Sequence, residues 1–290
     1  MANSYYTPIK AKIDDLLKKR NSDVFLTYIT GDRNPQQLLS TQISLDVVPL
    51  FYDLLRAIGR KNKISLFLYS NGGELEAPWA LANLLREHCK KLEIIIPFKS
   101  FSAATLLCLS ADKIVMTPLS LLGPIDPSGN FKIQNENKSI QVEDVAGFID
   151  FAKEKVGLIE QGSLTEVLKS LCGEVPPSVL GSVNRTHSLV RQIASKMLTL
   201  TNNEFSDTEK KNIITSLTKD LFSHKHYISR KEAKEIGLKS VDEASQEEEI
   251  LINEIFDYYK KELKLDVTFN PNDEISGSEQ EKQITLPRAI

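Results

Sequence analysis

The stretch ISLFLYSNGG, residues 64–73, decides the fold of this chain. Its first six residues are almost all apolar, which is typical of a strand in a sheet that is covered on both faces. The glycine turn that follows opens a helix, and the same order recurs downstream. A strand is predicted at 94–98, a short helix at 102–110 and a further strand at 113–117. This alternation of strands and helices predicts βαβ units in a parallel sheet, and therefore an α/β protein.

The flanking sequence predicts how the rest of the chain is organised. A strand (24–30) and a helix (43–58) precede the central units, and the turn-rich segment LLGPIDPSGN follows them as a predicted loop. Beyond it the apolar spacing favours a helical arm. Ser229 and Glu232 have the spacing of a capping box at the start of a short helix. We expect an N-terminal helix in 1–22, an α/β domain in 23–245, an amphipathic helix in 246–267 and a polar, flexible tail in 268–290.

The composition excludes several functional classes. The 290 residues have a net charge of −3, so no overall positive charge favours nucleic acid. The three cysteines form no CxxC pair, and we predict neither a metal site nor a cofactor. An odd number of cysteines in a large chain fits a reducing compartment. We find no signal peptide and no transmembrane segment, and we expect a soluble, cytoplasmic protein.

Two turns carry residue types that suit acyl transfer. The first is Asn71-Gly72-Gly73, and the second contains Ser102 and Ala103. Each turn follows a buried strand and opens a helix, so both are expected at the carboxyl edge of the sheet, where such folds bind ligands. Glycine permits close backbone approach, and a serine flanked by free backbone N–H groups is the arrangement that a nucleophile needs. The simpler alternative is an ordinary turn and an ordinary helix N-cap.

Three segments resemble known peptidases. SNGGELEAPWALANLL (70–85) is similar to the glycine segment and helix of the ClpP and crotonase superfamily. FKSFSAATLLCLSADKIVMTPLSLLGPIDP (98–127) resembles the nucleophile helix of the signal-peptide peptidase SppA group, and more closely that of the serine dehydrogenase proteinase family. HYISRKEAKEIGLKSVDEA (226–244) resembles the last conserved segment of these peptidases. The matches follow the family order and span roughly residues 24–245.

The resemblance implies a ClpP/crotonase-like spiral of βαβ units with a C-terminal helical arm. It also implies a serine endopeptidase whose nucleophile is Ser102. The oxyanion hole would be formed by the backbone N–H groups of Gly73 and Ala103, with Gly72 adjacent. Peptides or proteins would be the substrates.

The general base is less well defined than the nucleophile. ClpP has a histidine soon after its serine, but this chain has none between His88 and His187. The SppA group uses a later lysine, which favours Lys169, and such a base needs burial to lower its pKa. The alternative is His224, because the serine dehydrogenase proteinase family tends to have a His-Asp pair just before its last conserved helix. Lys225 replaces that acid here, and a histidine base needs no unusual pKa because imidazole already titrates near neutrality. Asp126 is a candidate to orient either base.

The resemblance also leaves assembly and two other functions open. Members of this superfamily form trimers or larger rings, so we expect a homo-oligomer that uses the helices at 183–200 and 247–263. A crotonase-like acyl-CoA enzyme would share the fold and the oxyanion hole without needing a nucleophilic serine. A non-catalytic peptide-binding scaffold would retain the fold and lack a base.

Overall fold

The parallel sheet predicted from the sequence forms the centre of the fold. A computed structural model describes residues 7–31, 33, 41–125, 128–133, 136–220 and 226–272. The described strands are β1 (Val24–Ile29), β2 (Lys61–Tyr69), β3 (Cys89–Ile96), β4 (Lys99–Ser100), β5 (Lys113–Met116), β6 (Leu121–Leu122), β7 (Ser128–Ile133), β8 (Glu136–Gln141), β9 (Ile228–Ser229) and β10 (Val241–Glu243). Five of them form a parallel sheet in the order β1-β2-β3-β5-β10. The α/β fold class is therefore confirmed.

Helices cover both faces of this sheet. The described α-helices are α1 (Thr7–Arg20), α2 (Val47–Ile58), α3 (Ala77–His88), α4 (Ala103–Cys108), α5 (Val142–Asp150), α6 (Gln161–Glu174), α7 (Pro177–Leu200), α8 (Asp207–Thr215), α9 (Arg230–Glu235) and α10 (Gln246–Glu262). Alternate β2 residues point to opposite sides, as the two-residue period of a strand requires. Leu66 and Leu68 pack in a core with α2, α3, α4 and α7, whereas Phe67 and Tyr69 pack with α1 and α10.

Two local predictions are wrong. The helix expected from residue 43 begins at Val47, because Ile43 instead forms a parallel β-bridge with Gly73. The segment expected as a loop after Pro118 contains β6 and the start of β7. β6 pairs with β4 on one side and with β9 on the other, which creates a small second sheet. Periodicity does not show such two-residue strands, because they contain too few residues to display a pattern.

Helices α1 and α10 are fastened to the sheet by a buried ionic cluster. The carboxylate of Glu93, in the middle of β3, is 1% exposed. It accepts hydrogen bonds from Arg20 at 2.6 Å, and Lys63 lies 2.8 Å from it. Arg20 also binds Asp242 and Glu248. An unpaired charge at this depth would be strongly unfavourable, so these partners fix where both helices dock.

A second buried ion pair joins α3 to the start of β5. Arg86 binds both carboxylate oxygens of Asp112, at 2.7 and 2.8 Å. The backbone N–H groups of Leu92 and Asn202 donate to the same carboxylate. Asp112 therefore holds together β3, β5 and the segment after α7. Among the described helices, none is long and apolar enough to span a lipid bilayer.

We predict that acid weakens the fold through these carboxylates. Burial alone would raise the pKa of Asp112, Asp242 and Glu248. Hydrogen bonds outweigh burial: Arg86 lowers the pKa of Asp112, Arg20 that of Asp242, and Ser245 N–H with Arg20 that of Glu248. Groups with a lowered folded-state pKa stabilise the protein above their unfolded pKa and lose that effect as the pH falls. The free energy of unfolding in urea should therefore fall from about pH 5 to about pH 3.

The variant Arg86→Met separates this effect from general acid denaturation. It removes the main group that lowers the pKa of Asp112, so its unfolding free energy should vary less with pH over that interval. Lys18→Met, which removes an exposed pair with Asp15, is the control and should keep the wild-type slope. Equal slopes for Arg86→Met and the wild type would contradict the assignment.

Candidate active site

Ser102 stands at the N-terminus of α4 in a sparsely populated backbone conformation. Its φ is 51° and its ψ is −116°. Such a conformation in a non-glycine residue costs about 1–3 kcal/mol and is concentrated at functional sites. The turn is held by hydrogen bonds from Ala104 N to Phe101 O and from Leu106 N to Ser102 O. Ser102 is half-buried, and within the described part of the chain its hydroxyl makes no hydrogen bond.

The first glycine turn packs directly against Ser102. A Cβ built on Gly72 would lie 2.8 Å from both the Phe101 carbonyl oxygen and the Ser102 Cβ. It would also lie 3.2 Å from the backbone nitrogen of Ala103. Gly72 has a φ of 109°, which L side chains rarely adopt. Gly72, Ser102 and Ala103, which were predicted to share a site, are therefore brought together.

Gly73 is fixed on its other side by Ile43. Ile43 N donates to Gly72 O, and Glu74 N donates to Ile43 O, both at 2.8 Å. This parallel bridge uses the carbonyl group of Gly72 and the N–H group of Glu74, so the N–H of Gly73 itself points away from Ile43. A Cβ on Gly73 would lie 2.1 Å from Ile43 O, so no side chain fits.

Two backbone N–H groups remain available beside Ser102. Neither Gly73 N–H nor Ala103 N–H donates a hydrogen bond to any described residue. Ala103 is the first residue of α4, whose first N–H groups have no partner within the helix. The helix dipole adds partial positive charge at the same end. This arrangement suits a developing negative charge on an oxygen atom.

Thr105 and Ser70 hold the two turns in place. Thr105 Oγ1 donates to Ser100 O at 2.7 Å and accepts from Gly123 N at 3.1 Å, which ties β4 to the end of β6. Ser70 Oγ accepts from Gly72 N at 2.9 Å. The backbone N–H of Ser70 donates to Lys99 O, and the backbone carbonyl of Ser70 accepts from Phe101 N. These contacts are buried, so water does not compete with them.

Of the two predicted bases, the structure describes only Lys169, and Lys169 makes no hydrogen bond to Ser102. Lys169 lies on α6, its side chain is 67% exposed, and it forms an ion pair with Glu166 at 2.7 Å. It makes no hydrogen bond to Ser102 and lacks the burial that a lysine base needs. His224 and Asp126 lie outside the described residues, as does the predicted tail from 273 onward.

Sequence reasoning did not single out His226. In the structure its Nε2 lies 2.6 Å from Glu232 Oε1, and the adjacent Tyr227 stacks on Phe101 with ring centroids 5.4 Å apart. The capping box expected at Ser229 is only half formed: Ser229 Oγ accepts from Glu232 N, while the Glu232 carboxylate bonds to His226. The spacing of His226 and Glu232 alone gives no signal, because Glu232 is explained equally well as a helix-capping residue.

Comparison with known proteins agrees with this geometry. Residues 46–146 match the family model of the ClpP-like SDH-type serine proteinase. This segment contains both glycines of the first turn, Ser102 and Ala103. The resemblance predicted from the sequence is confirmed, because this segment is similar to ClpP-like serine proteinases.

Individual relatives are more distant. The chain is 25% identical over 203 residues to MJ0137, an uncharacterized protein of Methanocaldococcus jannaschii, covering 70% of this chain and 61% of that protein. It is 24% identical over 190 residues to MJ1495 of the same organism, covering 64% and 56%. The chain thus spans about three fifths of the length of these relatives. A variant of the 1510-N membrane-bound stomatin-specific protease aligns over 82% of this chain and 84% of that chain, with a TM-score of 0.43 and 15% identity.

We predict that Gly72→Ala disrupts the turn around Ser102. Its Cβ would overlap backbone atoms that cannot move away as a flexible side chain can, and its φ is unfavourable for alanine. Thermal unfolding should show a destabilisation of more than about 1 kcal/mol. The control is Gly181→Ala in α7, where a Cβ meets no atom within 4 Å. It should be neutral or stabilising, because alanine favours a helix. Equal stability of the two variants would contradict the close approach.

Proposed function

We propose that this protein is a serine endopeptidase that cleaves peptide or protein substrates. The observation that carries the proposal is the backbone geometry at Ser102. It places a hydroxyl that makes no described hydrogen bond beside the N–H groups of Gly73 and Ala103, which donate to no described residue. The match of residues 46–146 to a serine proteinase family supports the same reaction. A crotonase-like enzyme would use the two N–H groups, but it would have no need for a serine held in a costly conformation.

The reaction follows from these groups. Ser102 Oγ attacks the peptide carbonyl carbon while a base takes its proton. The carbonyl oxygen becomes an oxyanion that accepts hydrogen bonds from Gly73 and Ala103. The base returns the proton to the leaving amine as the C–N bond breaks, which leaves an acyl-enzyme for water to hydrolyse. The candidate bases from the sequence are Lys169 and His224, and the exposure of Lys169 favours the histidine segment.

Covalent labelling with a fluorophosphonate tests the nucleophile. The wild-type chain should be labelled at Ser102, and Ser102→Ala should abolish labelling while the circular dichroism spectrum is unchanged. Ser110→Ala is the matched control. Its hydroxyl lies just beyond the end of α4 and donates to Leu107 O, so labelling should persist. Failure to label the folded wild type would contradict the peptidase proposal and favour the scaffold or the acyl-CoA enzyme.

We also propose that the chain forms a homo-oligomer through its helical arm, the segment 142–200 that contains α5, α6 and α7. The arm exposes large apolar side chains that a second copy can cover, among them Phe151 at 56% and Ile159 at 78%. These two residues lie before the helices at 183–200 and 247–263 that were predicted to form the interface. Light scattering should give a mass of at least three chains, and Ile159→Asp should lower it. The control is Tyr52→Asp on α2, which should leave the mass unchanged. A monomeric wild type would contradict this proposal.

A further inference from the structure

We infer that Ser70 is a positioning residue of the proposed active site. Its buried hydroxyl locks the peptide between Gly72 and Gly73 in the orientation that forms the oxyanion hole. This inference rests on the proposed peptidase function and adds to it a residue that acts only through the glycine turn. It is carried by the hydrogen bonds on both sides of Gly72, by the geometry of a planar peptide and by a second buried hydroxyl, that of Thr30.

The N–H of Gly73 and the carbonyl of Gly72 belong to one peptide unit. Because a trans peptide is planar, these two groups point in opposite directions. The groups that hold Gly72 O therefore also set the direction of Gly73 N–H. Ile43 N donates to Gly72 O at 2.8 Å, and Ser70 Oγ donates to the same oxygen at 3.3 Å. Both donors keep the carbonyl on one side, so Gly73 N–H is directed to the other.

This peptide would turn over readily if nothing held it. It joins two glycines, and glycine adopts positive and negative φ about equally well. No other residue fits, because Gly72 lies against Ser102 and Gly73 lies against Ile43. A peptide that had turned over would present the Gly72 carbonyl oxygen in place of the Gly73 N–H. That oxygen would repel an oxyanion instead of stabilising it.

The Ser70 hydroxyl uses all of its hydrogen-bonding capacity in this turn. The residue is 0% exposed, and its Oγ accepts from Gly72 N at 2.9 Å and from Thr30 Oγ1 at 3.0 Å. A hydroxyl accepts two hydrogen bonds and donates one. With both acceptor positions filled, the proton is left for Gly72 O. Thr30, which directly follows β1 and is also buried, thus orients the Ser70 hydroxyl.

The backbone of Ser70 holds the other half of the oxyanion hole. Its N–H donates to Lys99 O at 3.1 Å, and its carbonyl accepts from Phe101 N at 3.0 Å, just before Ser102 and Ala103. The side chain and the backbone of one residue therefore fix the two N–H donors relative to each other. Oxyanion stabilisation needs such preorganisation, because donors that are already in place cost no reorganisation during the reaction.

The limiting rate of fluorophosphonate labelling, measured in the full-length protein at increasing probe concentration, tests this inference. Ser70→Ala should lower that rate by about 10- to 1000-fold, where the upper end is the loss of one oxyanion donor. The probe concentration that gives half of the limiting rate should stay unchanged, because charge develops on the phosphonyl oxygen only as the bond forms. The control is Ser65→Ala, which removes an equally buried hydroxyl of β2 that bonds to Glu93. It should label at the wild-type rate.

A pair of substitutions at Thr30 separates positioning from stability. Thr30→Val replaces the hydroxyl with a methyl group, whereas Thr30→Ser keeps the hydroxyl and loses the methyl group. Thr30→Val should lower the limiting rate and Thr30→Ser should keep it, even if urea unfolding shows that both variants are less stable than the wild type. A residue with a purely structural role would change stability without this difference in rate.

The outcomes distinguish this inference from the proposed function. If the wild type is labelled at Ser102 and a folded Ser70→Ala is labelled at the same rate, the peptidase proposal stands and the positioning role is overturned. An equal loss of rate in Ser65→Ala would overturn it too, because the effect would then reflect general destabilisation. If Ser70→Ala does not fold, the Thr30 pair decides, and equal rates for its two members overturn the inference. No labelling of the wild type refutes the proposed function, and the inference falls with it.

Discussion

The site depends on one steric constraint, the contact between two turns that leaves no room for a side chain. Gly72 lies against the Ser102 turn and Gly73 lies against Ile43, so each glycine is confined by backbone. Because backbone atoms cannot rotate away, the contact sets where Ser102, Gly73 and Ala103 stand relative to one another. The unfavourable φ of Ser102 persists because its surroundings leave it no alternative.

The remainder of the fold serves to hold these turns. Parallel pairing brings the ends of β2 and β3 to one edge, and buried hydrogen bonds from Ser70 and Thr105 carry that order into the second sheet. The ionic cluster around Glu93 lies in the middle of β3, and Asp112 lies at the start of β5. Their hydrogen bonds join α1, α3 and α10 to the sheet and do not involve Ser102. Stability and the proposed chemistry therefore depend on different residues of the same sheet.

The sequence predicted the central sheet and the two turns because their signals are local. The apolar residues of β2 and the glycines that follow them lie within ten consecutive residues, and Ser102 directly precedes its helix. The placement of Ile43 was missed because its partner, Gly73, is distant along the chain and local apolar spacing favoured a helix. The contact between Tyr227 and Phe101 was missed for the same reason: only the pairing of β9 with β6 and of β6 with β4 brings the two segments together. Local patterns cannot encode such long-range pairing.

The most direct test of the account is a crystal structure of the protein after reaction with a fluorophosphonate. The account predicts a covalent bond from phosphorus to Ser102 Oγ. It also predicts that one phosphonyl oxygen lies within hydrogen-bond distance of both Gly73 N–H and Ala103 N–H. An adduct on Ser102 whose oxygen points away from both N–H groups would contradict the account, as would an adduct on any other residue.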